Sequence, residues 1–202
     1  MNKFEFLKEV SEASDEDLLM SRKACHAQNV SSIVFGKTKE GLKRAILAWN
    51  GHELWENCLF GSLPVGIHDH RYMLALSLIC GEVYNTNYKL DEEGEELNEF
   101  KFSSALNGGS AELVGKAKIG LDVEMGLEHS RWLVLPPEQL HNISCSGMAA
   151  WAVFEGKTER EETRLFSKSE AIETCGFYKS FESADEVRDH VNFFFKTFEG
   201  RA

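Results

Sequence analysis

The hydrophobic and polar positions along the chain fall into three regimes. In the first 50 residues apolar side chains recur at helical spacing. Residues 14 to 28, S-D-E-D-L-L-M-S-R-K-A-C-H-A-Q, predict a helix, with Ser14 and Asp17 spaced as a capping box in which Asp replaces the usual Glu or Gln. Residues 39 to 49, K-E-G-L-K-R-A-I-L-A-W, predict a second short helix, with Leu42, Ala45, Ile46 and Trp49 on one face and Asn50-Gly51 as the turn after it. From residue 53 the period shortens to two. E-L-W-E-N-C-L-F, residues 67 to 80, and E-V-Y-N-T-N-Y-K-L read as strands, followed by the shorter E-F-K-F, A-E-L-V, R-W-L-V-L and A-A-W-A-V-F-E. The acidic stretch Asp91 to Glu99 reads as a solvated loop or hairpin tip, and Gly108-Gly109 and Gly156 as turns. The tail returns to helical spacing. Ser183 and Glu186 form a capping box, Val187, Val191, Phe194, Phe195 and Phe198 share a face, and Gly200 is placed to end the helix.

Many short strands between helical ends predict an all-β barrel or sandwich. At 202 residues, 43% of them hydrophobic, the chain can bury one good core. The expected organisation is a single domain: a helical extension over 1–50, a barrel over 53–156, and a C-terminal extension with a helix over 157–202. A formal net charge of −11 without any run of Lys and Arg disfavours nucleic acid and anionic membranes as partners. Cys25, Cys58, Cys80, Cys145 and Cys175 are scattered, odd in number and form no C-x-x-C, so neither a disulfide framework nor a zinc finger is expected. The first ten residues carry acids within their apolar stretch, unlike a secretory signal, and no apolar run reaches the length of a membrane span. These features point to a soluble cytoplasmic protein.

The stretch G-I-H-D-H-R-Y-M-L-A-L-S-L-I-C-G carries the candidate chemistry. Alternate residues of a strand share a face. His68, His70, Tyr72, Leu74, Leu76, Leu78 and Cys80 are therefore expected to point one way, into the barrel, with Asp69 and Arg71 pointing the other. Two imidazoles two residues apart on a strand stand about 7 Å apart and can chelate one ion, and neutral imidazole is the commonest protein ligand for divalent zinc, iron, nickel and copper. An H-x-H pair also occurs at strand ends without metal. A third histidine adds weight: in W-L-V-L-P-P-E-Q-L-H-N-I an apolar strand ends at Pro136-Pro137, turns, and re-enters with His141.

These motifs resemble those of the cupin superfamily, whose small barrels carry G-x5-H-x-H-x3/4-E-x6-G and G-x5-P-x-G-x2-H-x3-N on neighbouring strands. Gly61, His68, His70 and Gly81 follow the first, with one extra residue after Gly61, and Pro136 and His141 follow the second. The resemblance covers about residues 53 to 156 and implies a cupin-type jelly-roll barrel (a double-stranded β-helix). The chain departs from the pattern where the first glutamate falls on Leu74 or Ala75, and where Ser130, Glu138 and Cys145 stand for Gly, Gly and Asn. What remains is a three-histidine site, His68, His70 and His141, which resembles that of the thiol dioxygenases. The resemblance implies one divalent ion, ferrous iron favoured and zinc or nickel as alternatives. Three neutral ligands leave open positions for water, oxygen or substrate.

Tyr72, on the histidine face, is the candidate catalytic side chain, as an acid, a hydrogen-bond donor or simple filling. One parity of Tyr84, Asn85, Asn87 and Tyr88 lines the cavity or a solvated sheet edge. Trp151 walls the cavity or lies under the helices. Cys80 is expected to be inert, Glu138 solvated, Asn142 structural, and His26, His129 and His190 superficial. The motif strand carries no arginine on its site face to clamp a carboxylate. The expected function is a metal-dependent oxygenase acting on a small molecule; the alternatives are a non-catalytic binding module and a metal-dependent isomerase or lyase in which Tyr72 moves a proton. The wide phenylalanine surface of the C-terminal helix, Phe193 included, offers a homodimer contact.

Overall fold

The computed structural model describes residues 1–24, 30–48, 67–102, 111–172 and 178–200. Helix α1 (Lys3–Glu12) opens on a capping box made by Asn2 and Glu5, and the short α2 (Asp15–Leu18) is capped by Ser14, whose hydroxyl accepts from the Asp17 amide. The strands are β1 (Arg22–Ala24), β2 (Val30–Lys37), β3 (Leu42–Ala48), β4 (Ile67–His68), β5 (Tyr72–Phe102), β6 (Ala111–Gly126), β7 (Leu133–Leu135), β8 (Leu140–Thr158), β9 (Thr163–Ser167) and β10 (Tyr178–Ser180). Helix α3 (Ala184–Glu199) is capped by Ser183, whose hydroxyl accepts from the Glu186 amide, while the Glu186 carboxylate accepts from the Glu182 amide rather than closing the predicted box. The sheet runs β10-β1-β2-β3-β8-β4-β9-β5-β6, with β7 beside β5, and β8 also pairs with β5. The circuit β8-β4-β9-β5 therefore closes on itself. The all-β core with helices at both ends is present as expected.

Two expected helices are corrected. Of residues 14 to 28, those described hold the α2 turn and then β1, because Arg22 and Lys23 are drawn into antiparallel pairing with Ser32 and Ser31 of β2 and with Ser180 and Lys179 of β10. Residues 39 to 49 hold β3, which pairs with β2 on one side and β8 on the other. Its residues Ala45 to Ala48 are all buried, so the alternation that marks a one-sided strand is lost and the apolar spacing mimics a helix. Gly41 permits the approach: a Cβ there would stand 1.6 Å from the Glu155 carbonyl oxygen. The helical extension over 1–50 is thus two helices followed by three strands of the sheet. The acidic stretch 91 to 99 likewise belongs to β5, which breaks register between Leu90 and Glu95 as it passes Ile119 of β6. The expected strand over 53–60, the Gly108-Gly109 turn, Trp49, His26, His52, Cys25, Cys58, Cys175 and Gly61 lie outside the described residues.

The central sheet has two apolar faces. Cross-strand registers stack Leu42–Glu155–Leu74, Arg44–Val153–Leu76 and Ile46–Trp151–Leu78 in rows on one face. The other face carries Ala45, Leu47, Ile79, Ala150 and Ala152 and packs against Phe6 and Val10 of α1 and Val187, Val191, Phe194 and Phe195 of α3. The Phe6 ring lies 5.6 Å from Phe35 and 5.8 Å from Phe195, tilted against both. Among the described residues no helix is long and apolar enough to cross a membrane.

A bulge in β5 serves both faces. Leu74, Leu76 and Leu78 point to the first face, Ile79 and Cys80 are both taken into the helix-side core, and Val83 returns to the first. Register shifts on either side of Cys80 exchange the inward parity from even to odd residues. Gly81 makes this possible at φ +79, where a Cβ would meet the Met148 carbonyl oxygen at 2.4 Å. Ser130, at the motif's leading glycine, sits at φ +61, in the region glycine favours. Two opposite outcomes follow in chemical denaturation: Gly81→Ala destabilises the fold by at least about 1–2 kcal/mol, the ordinary left-handed penalty, whereas Ser130→Gly stabilises it by about 0.5–1 kcal/mol after glycine's entropic cost. Equal and small effects of either sign would contradict this backbone assignment.

Candidate metal centre

The three predicted histidines come together. His68 ends β4 and pairs directly with His141 of β8, and Asn87 of β5 is the partner of His141 on the other side. His70 lies in the break between β4 and β5. The ring centroids form a near-equilateral triangle, with separations of 4.8 Å (His68–His70), 4.8 Å (His68–His141) and 4.9 Å (His70–His141). One nitrogen from each ring falls within 4.8 Å of the others. His70 Nε2 and His141 Nε2 are 2.7 Å apart.

The hydrogen-bond chain behind His141 fixes its orientation. Asn85 Nδ2 donates to Asn87 Oδ1 at 2.7 Å, which turns Asn85 Oδ1 toward His141 Nδ1, also at 2.7 Å. Nδ1 is therefore the protonated nitrogen, and Nε2 presents its lone pair to the other two histidines. Asn85 is fully buried, so this bond has no competing water. The sequence marks Asn85 and Asn87 only as one of two parities; the bulge at Gly81 decides for theirs. Burial pushes His70 and His141 well below the ordinary histidine range, and repulsion from His68 adds to this in both; His141 and Arg44 add further to His70. Both rings are thus held neutral, the form that ligates metal.

The centre opens on a cavity of about 40 Å³ whose described walls are mostly apolar: Ile46, Leu74, Leu76, Ile143, Trp151 and Val153. Trp151 therefore walls the cavity, while its neighbours Ala150 and Ala152 lie under the helices. Leu74 stands where the cupin pattern has a glutamate, and the residue across from it on β8 is Glu155. Glu155 is bound at 2.8 Å by Arg44 Nη2, with both side chains largely buried. It also accepts the Tyr72 hydroxyl. Tyr72 stacks on His70 with centroids 5.5 Å apart and planes 29° apart. Burial, and secondarily Glu155, raises its phenol above the ordinary range despite the nearby Arg44, so it keeps its proton.

Arg44 was hidden from sequence reasoning because its segment reads as a helix. Arg44 reaches the cavity from β3, across β8 from the motif strand. Asp69 is the second omission. Its outward direction is legible, but not that its carboxylate is buried between Arg160 and Arg164 at 3.0 and 2.8 Å. Asn142 also borders the cavity. Glu138 and His129 are exposed, as expected, while His190 is half-buried with its ring edge-on to Phe181 at 5.5 Å. The bulge carries Cys80 away from the site face into the helix-side core.

No protein-family model and no curated protein sequence matches the chain. Among solved structures it is similar to a cupin superfamily protein from Desulfitobacterium hafniense, at 10% identity over 67% of this chain and 84% of that one, with a TM-score of 0.35. It is similar to a hydroquinone 1,2-dioxygenase in complex with Cd2+ and 4-hydroxybenzonitrile, at 14% identity over 60% of this chain and 61% of that one, TM-score 0.35. A third is hydroquinone 1,2-dioxygenase from Sphingomonas sp. TTNP3 with 4-hydroxybenzoate bound, at 10% identity over 78% of each chain, TM-score 0.36.

Burial pushes the Cys80 thiol up to about 12, against a lowering from the Ala150 backbone and Lys3. A thiol so placed carries almost no thiolate near neutrality. The folded protein treated with iodoacetamide at pH 8 is expected to leave Cys80 unmodified by peptide mass spectrometry, and the unfolded protein to be fully modified there. Rapid native alkylation of Cys80 would contradict its burial.

Proposed function

We propose that His68, His70 and His141 hold one divalent metal ion, ferrous iron above zinc or nickel, and that the chain is an oxygenase acting on a small molecule in the barrel. The observation that carries this reading is the convergence of three imidazoles, His141 buried and His68 and His70 half-buried, beside a small apolar cavity. The donor set fits: two nitrogens that share one ion at about 2.1 Å stand roughly 3.0–3.4 Å apart, a spacing these rings reach by small rotations from the 2.7 Å and 4.8 Å limits they occupy. Bound ferrous iron would supply open coordination positions and one-electron chemistry for oxygen and substrate.

The chain's own residues then have defined tasks. Asn85 keeps the Nδ1 proton on His141 and so directs Nε2 inward. Tyr72 holds the face of His70, and its retained hydroxyl proton makes it a donor within the site. Arg44 and Glu155 pair with each other, which leaves the neutral His70 and His141 without a nearby uncompensated carboxylate. The apolar wall of Trp151, Leu74 and Leu76 limits water beside the three histidines. No other carboxylate approaches the three nitrogens closely among the described residues.

Metal analysis of untagged protein purified or reconstituted anaerobically with ferrous iron is expected to give about one ion per chain, lost in His68→Ala/His70→Ala. Asn85→Ala is expected to retain the fold and to weaken metal binding about 10–100-fold, the usual effect of removing a ligand's orienting partner. Iron-loaded protein would then consume oxygen with members of a panel of small thiols and phenols. Absence of metal from the reconstituted wild type contradicts the reading. Metal without oxygen uptake across the panel moves the chain to the isomerase, lyase or binding alternatives.

A further inference from the structure

We propose that Asp69, Arg160 and Arg164 form a clamp that sets the geometry of the three-histidine centre, with Arg160 as the positioning residue that ties its two halves together. The proposal rests on the metal-site reading above and adds to it the groups that hold the ligands in place. The need for a clamp comes from the backbone. β4 ends at His68 and β5 begins at Tyr72, so no strand ladder holds the segment that carries His70.

Individual bonds do this instead. The Asp69 amide donates to the Arg164 carbonyl at 3.1 Å and the His70 amide to the Pro137 carbonyl at 2.9 Å. The Arg71 carbonyl accepts from the amides of Glu159 and Arg160 at 2.7 and 3.0 Å. The Asp69 carboxylate, fully buried, accepts from the Arg164 amide at 2.6 Å, Arg164 Nε at 2.8 Å and Arg160 Nη1 at 3.0 Å. The buried Asp69 carboxylate and the amide bonds beside it together hold the backbone from which His68 and His70 project.

Arg160 connects this segment to the third ligand. Its Nη1 also reaches the Pro137 carbonyl at 3.4 Å, the same oxygen that accepts from His70. Pro137 lies in the turn that delivers His141. One nitrogen, Nη1, whose two N–H groups lie in the fixed guanidinium plane, thus spans the H-D-H segment and the turn before His141, a geometry that a freely rotating ammonium holds less well.

The test compares Arg160→Gln and Arg160→Lys with Arg188→Gln. Arg188 has similar side-chain exposure, 29% against 33%, and pairs with Asp15 and Asp185 beside the helices. Cobalt(II) is titrated into each metal-free protein, and its visible absorption reads ligand geometry. Arg160→Gln is expected to weaken cobalt binding about 10–100-fold and to change the band shape, with Arg160→Lys intermediate and Arg188→Gln like the wild type. Unchanged affinity and spectrum in Arg160→Gln, or an equal loss in Arg188→Gln, overturns the clamp. If the wild type binds no cobalt, the metal reading fails on its own. The clamp is then judged on imidazole nitrogen resonances of the metal-free proteins: shifts at His70 and His141 in Arg160→Gln but not in Arg188→Gln support it, and unshifted resonances overturn it.

Discussion

A strand buried on both faces must satisfy two cores at once, and β8 is the one of these strands that also carries His141. Its odd residues, Ile143, Cys145, Ala149, Trp151 and Val153, belong to the cavity-side core, and its even residues Met148, Ala150 and Ala152 to the helix-side core. Large side chains face the cavity and mostly small ones face the helices, so a slip of one residue would drive Trp151 into a space shaped for alanine. The same parity carries His141 at one end and Glu155 at the other. The register that packs Trp151 and Val153 also places a carboxylate opposite Leu74, and beyond the bulge at Gly81 a shifted register places His141 between Asn87 and His68. Core packing and the bulge together set the site geometry.

The charges around the site follow from the same burial. A carboxylate or guanidinium taken out of water costs several kcal/mol unless it is paired and hydrogen-bonded. Each buried charge near the histidines is paired: Glu155 with Arg44 and Tyr72 on the cavity side, Asp69 with Arg160 and Arg164 on the outer side. His70 and His141 stay neutral because burial, and then repulsion from His68, disfavours their protonated forms. The polar groups form two separate networks, one that shapes the cavity and one that holds the ligand-bearing backbone, with the three rings between them.

The candidate ligands were legible because H-x-H ahead of an alternating strand and a proline turn before a third histidine are local patterns. So were the helix caps at Ser14 and Ser183, where one side chain meets one amide three residues on. Residues 42–48 were not, because a strand covered on both sides loses its alternation, and Arg44 was lost with them. Asn85 was half legible: its strand was evident, but its facing depends on a bulge at Gly81 that only packing against Met148 reveals. Asp69 lies 91 and 95 residues from Arg160 and Arg164, and no local pattern joins them.

The most direct test of the account is a crystal structure of the cobalt-loaded protein with anomalous diffraction recorded at the cobalt edge. The account predicts one strong anomalous peak about 2.0–2.2 Å from a nitrogen of each of His68, His70 and His141, with Asn85 still bonded to His141. A peak elsewhere, or an ordered cavity with no peak at full cobalt loading, would contradict the three-histidine centre.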